Sequence, residues 1–193
     1  MASLRIPHSP LTDAQWAALR ALLPHTSASG RPCDRRAQLD AIFRVAATDG
    51  PWRELPPGYG NPASVARCFR RLTHAGLWER LLRTLAASPP GHPLHSLTRI
   101  ICRATRRAIR LRGLPLIVLA RRLKLTRALP APPWMCPDPD LSEKLFAMPI
   151  PRDIPRTRGQ LNAVLGYLKS LGKCIGVAGG RRRIPRMIKA IWV

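Results

Sequence analysis

Apolar residues recur at helical spacing along most of this chain, and each run is closed by a proline, a glycine or a residue suited to capping. Thr12-x-x-Gln15 is a capping box: the Thr12 hydroxyl can accept from the Gln15 amide while Gln15 reaches back, with Leu11 and Trp16 placed as a hydrophobic staple. A first helix is expected from Asp13, with Trp16, Leu19, Leu22 and Leu23 as its apolar positions and Pro24 as its end. Asp34 suits the N-cap of a second, burying Leu39, Ile42, Phe43 and Ala46 and stopping at Gly50 in a left-handed cap. Asn61 as N-cap and Pro62 at the first helical position open a third, with Val65, Phe69 and Leu72 facing one way and Gly76 as its cap. Leu77 to Ala87 form a fourth, with Leu77, Trp78, Leu81, Leu82 and Leu85 apolar. The fold class is mostly α: an N-terminal helix-turn-helix-like bundle, then a basic, proline-interrupted helical region.

Pro51 to Gly60 holds three prolines and two glycines, so it reads as a tight connector anchored by Trp52, Leu55 and Tyr59. On the helix that follows, Ser64, Arg67, Arg70 and Arg71 lie off the apolar side. Helix, connector, basic helix is the order of a helix-turn-helix DNA reader, whose second helix enters the major groove. Residues 62–74 are then the recognition helix, with those arginines on guanine edges or phosphates. The bland alternative is a solvated basic face on a small bundle.

The charge balance agrees with a polyanionic partner. Lys and Arg number 33 against 10 Asp and Glu, a net charge of +23, and counterion release favours nucleic acid. Residues 1–87 hold 12 basic and 6 acidic groups, whereas residues 88–193 hold 21 and 4. That shift divides the chain into 1–87 and a highly basic 88–193. The longest apolar run, Leu114 to Ala120, falls far short of the roughly 20 residues of a spanning helix. Arg5 is followed by no apolar core before Pro7, which argues against a secretory signal and for the cytoplasm. Cys33, Cys68, Cys102, Cys136 and Cys174 form no Cys-x-x-Cys pair and are expected as free thiols. His92 and His95 have no carboxylate beside them and read as a surface loop. No metal or other cofactor is expected.

Five short pieces in fixed order carry a family resemblance. They are Leu11-Thr12-Asp13-Ala14-Gln15-Trp16, Gly30-Arg31-Pro32, Pro51-Trp52-Arg53-Glu54-Leu55-Pro56-Pro57-Gly58-Tyr59-Gly60, Phe69-Arg70-Arg71 and Gly76-Leu77-Trp78-Glu79-Arg80. Together they resemble the N-terminal domain of bacterial insertion-sequence transposases of the DDE type, over residues 11–87. The resemblance implies binding to duplex DNA such as an element's terminal repeats, with a separately encoded transposase catalytic subunit as a further partner. The chain departs from the family at Ala66, Cys68 and Leu72, where an aromatic residue, a basic residue and a tryptophan are usual.

Beyond Ala87 the resemblance ends. A DDE domain needs acids far apart in sequence that converge on two divalent ions. Here no acid stands between Glu79 and Asp138, and Asp138, Asp140, Glu143 and Asp153 crowd into one proline-rich stretch, read as an exposed loop. No catalytic residue is assigned, and the chain is expected not to be an enzyme. Leu97, Ile100, Ile101, Ala104, Ala108 and Leu111 make a helical stripe, opposite which Arg99, Arg103, Arg106, Arg107 and Arg110 form a second candidate DNA-binding set. A segment from Pro115 to Leu129 carries Arg121, Arg122, Lys124 and Arg127. Leu161, Val164, Leu165 and Leu168 keep helical spacing, Gly176-x-x-Gly179-Gly180 reads as a turn, and Arg181-Arg182-Arg183 adds charge. The reading is a transposase-related DNA-binding protein, truncated or split from its DDE domain. Two alternatives stay open: a nonfunctional relic with an out-of-frame or fused tail, and a cationic protein of membrane surfaces.

Overall fold

The computed structural model describes residues 8–24, 34–151, 153–181 and 183–192, apart from the side chains of Lys189 and Ala190. The Gly30-Arg31-Pro32 signature, Cys33, Arg5, Pro7 and Arg182 lie outside the described residues. Within them every regular element is helical. The chain forms two compact units, Met1–Leu129 and Pro130–Val193.

In the first unit, α1 (Asp13–Arg20) begins at the expected capping box: Gln15 N–H donates to Thr12 Oγ1 (3.3 Å) and Thr12 N–H to Gln15 Oε1 (2.9 Å). Its last turn closes at Arg20, ahead of Pro24, and tighter turns carry the chain through Leu22 and Leu23. Asp34 caps α2 (Arg35–Thr48) by accepting from Arg36 N–H and Ala37 N–H. The left-handed residue ending α2 is Asp49 (φ 59°), one position before the expected Gly50. Aspartate tolerates this conformation better than most side chains, and it leaves the Gly50 carbonyl free for a later partner. Leu39, Ala41, Ile42, Phe43, Val45, Ala46 and Ala47 bury most of α2.

Two 3-10 turns, Trp52–Glu54 and Pro57–Tyr59, fold the connector, burying Leu55 and half-burying Trp52 and Tyr59. Asn61 then caps α3 (Pro62–His74), accepting from Ala63 N–H and Ser64 N–H, with Pro62 in the first turn. α3 buries Val65, Cys68, Phe69, Leu72 and Thr73. Gly76 adopts φ 75° and hands the chain to α4 (Leu77–Ala87), whose five expected apolar positions are all buried. Phe69 lies between two tryptophans, 5.1 Å from the Trp52 ring and 5.4 Å from Trp78. Trp78 Nε1–H donates to Thr73 Oγ1 (2.8 Å), and the Thr73 hydroxyl donates to the Phe69 carbonyl (2.8 Å), so the buried indole is satisfied.

His92 and His95 serve structure. His92 Nδ1 accepts from Leu94 N–H at the start of a 3-10 turn, Pro93–Leu97, that buries Leu94 and Leu97, and His95 Nε2 meets the Ser88 and Pro89 carbonyls. α5 (Thr98–Arg112) follows and packs against α2, α3 and α4. Gly113, at φ 66° and ψ −136°, turns it sharply into α6 (Leu114–Arg122), a conformation that a Cβ disfavours. The charge-based division at residues 87 and 88 therefore differs from the contact division after Leu129. Residues 88–129 complete the first unit because α5 buries Ile100, Ile101, Cys102, Ala104, Ala108 and Ile109 against the earlier helices. Leu111, expected on that stripe, is exposed, and Ile109 takes the buried place.

The second unit contains α7 (Pro139–Phe146), α8 (Arg158–Ala178) and α9 (Arg186–Ile191). The acidic stretch is not a loop: Asp138 N-caps α7 by accepting from Leu141 N–H (3.1 Å), with Pro139 in the first turn. Thr157 and Gln160 form a second capping box at α8. Of the turn expected at Gly176-x-x-Gly179-Gly180, Gly176 lies inside α8, while Gly180 turns the chain at φ 70°, where a Cβ would stand 2.7 Å from the Cys136 carbonyl carbon and Pro137 nitrogen. Only glycine fits so close an approach. No helix among the described residues is long and apolar enough to cross a membrane.

Replacing Thr73 by Val removes the acceptor of a buried indole N–H and should cost about 1–3 kcal/mol of unfolding free energy. Trp78→Ala should cost about 3–5 kcal/mol. Urea titration of each variant measures both, and a Thr73→Val protein as stable as wild type would show the indole satisfied without the hydroxyl.

Candidate nucleic-acid interface

The apolar side of α3 is fixed in the core, so its opposite side is presented outward. Arg67, Arg70 and Arg71 are exposed and Ser64 is half-buried. Arg67 Nη2 donates to Ser64 Oγ (3.3 Å), and Arg70 Nε to the Ala66 carbonyl at the long distance of 3.5 Å. No carboxylate among the described residues forms an ion pair with any of the three. These four residues share one shallow concavity of about 520 Å³, which among the described residues is lined also by Gln38 from α2. The expected set on α3 is thus brought together, with a neutral amide added from the preceding helix. Gln38 is not among the apolar positions expected on α2, and only the packing of α2 on α3 reveals its neighbours.

The second expected set is divided. Arg99 and Arg110 are exposed, but Arg103, Arg106 and Arg107 are engaged inside the first unit. Arg103 is buried, with Nη2 3.6 Å from Asp49 Oδ2. Arg106 Nε donates to the Arg127 carbonyl (2.7 Å). Arg107 donates through Nη1 and Nη2 to the Gly50 carbonyl (2.9 and 2.6 Å), and its guanidinium lies 5.1 Å from the Trp52 ring centroid. Burial lowers the pKa of the Arg106 and Arg107 guanidinia, with neighbouring arginines adding to it and Asp49 opposing it. The amphipathic reading of α5 gave these arginines to a phosphate backbone; the structure gives Arg103 to the Asp49 carboxylate and Arg106 and Arg107 to main-chain carbonyls. Sequence could not show this, because the acceptors lie far along the chain and their positions depend on the fold.

Burial pushes the Cys102 thiol up to about 11, against the pull of Arg106 and Arg127, so it is protonated and unreactive near neutrality. Among the described residues Cys68, Cys102, Cys136 and Cys174 form no disulfide. Among the described residues no group of three or more His, Cys, Asp or Glu side chains could hold a metal ion, and Asp138 is occupied as a helix cap.

Residues 11–82 match the family described as "Putative transposase of IS4/5 family (DUF4096)". Over 78 residues the chain is 32% identical to "Uncharacterized protein y4sN" of Sinorhizobium fredii (strain NBRC 101917 / NGR234), covering 39% of this chain and 62% of that protein. No solved structure matches. The matched segment runs from the capping box of α1 into α4, so it contains Gln38 and all four clustered α3 residues. Arg99 and Arg110 lie beyond it.

Arg107→Ala should lower stability by about 1.5–3 kcal/mol, since it deletes charged hydrogen bonds to a partly buried carbonyl. Lysine should not restore it, lacking the planar fork. Arg70→Ala, at an exposed position, should stay within about 0.5 kcal/mol of wild type. Chemical denaturation of the three variants separates the two kinds of arginine, and equal effects at both positions would contradict the division.

Proposed function

We propose that this chain binds duplex DNA through α3 as the DNA-recognising part of an insertion-element transposase system, with α2 and α3 used in helix-turn-helix manner. The observation that carries the reading is the convergence of Ser64, Arg67, Arg70 and Arg71 on one exposed, carboxylate-free face of a helix inside the transposase-family segment. Three guanidinium forks on one helix face suit guanine edges and phosphates. The link between α2 and α3 is longer than the three or four residues of the shortest such motifs, but its aromatic anchors fix α3 just as firmly. Arg99 and Arg110 would add phosphate contacts. The partners in this reading are the terminal repeats of an element and a separately encoded catalytic subunit, and the site of action is the cytoplasm, where bacterial DNA lies. Strand cleavage and joining are assigned elsewhere than to these residues. Beyond residue 87 the acids fall in one short stretch, where Asp138 caps a helix, and basic neighbours would repel divalent ions.

The purified chain should bind duplex DNA with affinity that falls steeply as salt rises, because several arginines release counterions. Replacing Arg67, Arg70 and Arg71 together by Ala should reduce sequence preference more than general binding. Electrophoretic titrations at several salt concentrations, with element-end and scrambled duplexes, measure both. Affinity independent of salt would defeat the proposal, and a uniform loss in the triple variant would make these residues backbone contacts.

Incubated with element-end duplexes and Mg²⁺ or Mn²⁺, the chain should neither nick nor join strands. Metal-dependent cleavage abolished by Asp138→Ala, Asp140→Ala or Asp153→Ala would overturn the assignment of chemistry to another subunit.

A further inference from the structure

We propose that Gln38 of α2 reads a base edge beside the α3 arginines, so that the recognition surface is built by two helices. The inference rests on the DNA-binding reading of α3 and names the residue that would give that surface its second kind of specificity. Gln38 lines the same concavity of about 520 Å³ as Ser64, Arg67, Arg70 and Arg71. It is half-buried in the first turns of α2, and its backbone N–H is already satisfied by the Asp34 carbonyl (3.0 Å). Among the described residues its side-chain amide has no hydrogen-bond partner, and neither has the Arg71 guanidinium.

The surroundings of Gln38 are held firmly. Asp34 caps the helix immediately before it, Arg36 pairs with Asp13 (2.6 Å), and Leu11 N–H donates to Asp40 Oδ1 (3.0 Å). The amide is therefore carried on a fixed backbone while its own polar atoms stay free. Such a group can form new bonds without first breaking old ones.

Its chemistry complements that of its neighbours. Guanidinium groups only donate, so arginines alone would recognise acceptors: phosphate oxygens, or O6 and N7 of guanine. Gln38 brings an acceptor, Oε1, together with a donor, Nε2. That pair matches N6 and N7 of adenine in the major groove. Arginine and glutamine side by side would favour an A·T pair neighbouring a G·C pair, a distinction that a purely cationic surface cannot make.

The test is enrichment of a random duplex library by the full-length wild-type chain and by its Gln38→Ala, Gln38→Lys and Arg71→Ala variants, with thermal unfolding of each as a folding control. Gln38→Ala should lower the preference for adenine at one position by about 5- to 100-fold, leaving affinity for duplexes already altered there unchanged. Gln38→Lys should move that preference to guanine without weakening binding, which keeps the test decisive even if the alanine variant unfolds. Unchanged enrichment in both Gln38 variants, with a motif that still responds to Arg71→Ala, would overturn this inference alone. A uniform loss for every duplex would also overturn it, by making Gln38 a phosphate contact. No enriched sequence with wild type would defeat the α3 reading and this inference together.

Discussion

Phe69 packed between Trp52 and Trp78 is the contact on which the first unit turns. One aromatic column joins the connector, α3 and α4, and each end of it is held by a polar bond. At one end the Trp78 indole donates to Thr73, on the same helix as Phe69; at the other, Arg107 of α5 lies over Trp52 while bonding the Gly50 carbonyl. Aromatic pairs at these separations add roughly 0.5–1.5 kcal/mol each beyond area burial. Their larger effect is directional. With Phe69 fixed inward, the helical period turns Ser64, Arg67, Arg70 and Arg71 outward on α3, so the candidate interface follows from the core.

The parts of this arrangement that are local were legible in the sequence. Thr12 with Gln15, Asp34, and Asn61 with Pro62 each act within one helical turn, and each starts its helix where the residues said it would. The apolar positions of α4 were legible for the same reason: a 3.6-residue period is set by the backbone, whatever it packs against. Asp49 shows where the local rules blur. A left-handed cap was foreseen, but Asp and Gly both tolerate that conformation, and the adjacent pair offered two solutions. Gln38 and the α5 arginines were beyond local reading altogether, since Gly50 is 57 residues from Arg107 and Gln38 shares a concavity with Arg71 only through helix packing.

The second unit shows a complete local code with little core behind it. Its capping box at Thr157, its cap at Asp138 and its tight turn at Gly180 are all made. Yet among the described residues between Ala131 and Trp192 the buried apolar side chains are small, Ala131, Pro132, Cys136 and Ala178, while Trp134, Phe146, Ile150 and Ile154 are largely exposed. The stripe foreseen on α8 forms, but Leu161, Leu165 and Leu168 stay exposed and only Val164 is half-buried. Helices draw most of their stability from burying such a face. Spacing tells which residues share a face; it does not tell whether anything covers it.

Net charge says less about DNA contacts than its size suggests. The segment from Arg80 to Pro137 contains no acid, and on composition it looks like the part of the chain given over to phosphate. Folding uses much of that charge internally. Arg103 turns to Asp49 and Arg112 to Glu79, both acids of the first 87 residues, and Arg106 and Arg107 turn to main-chain carbonyls. The Gly50 carbonyl follows the C-terminal end of α2, where the helix dipole favours a cation, so Arg107 does there what an acid would do elsewhere. A basic, acid-poor helix can therefore be a structural pillar. On α3 the caps are satisfied, and Arg67, Arg70 and Arg71 stay exposed with no carboxylate paired to them among the described residues, their neighbours offering only the Ser64 hydroxyl and, at long range, the Ala66 carbonyl.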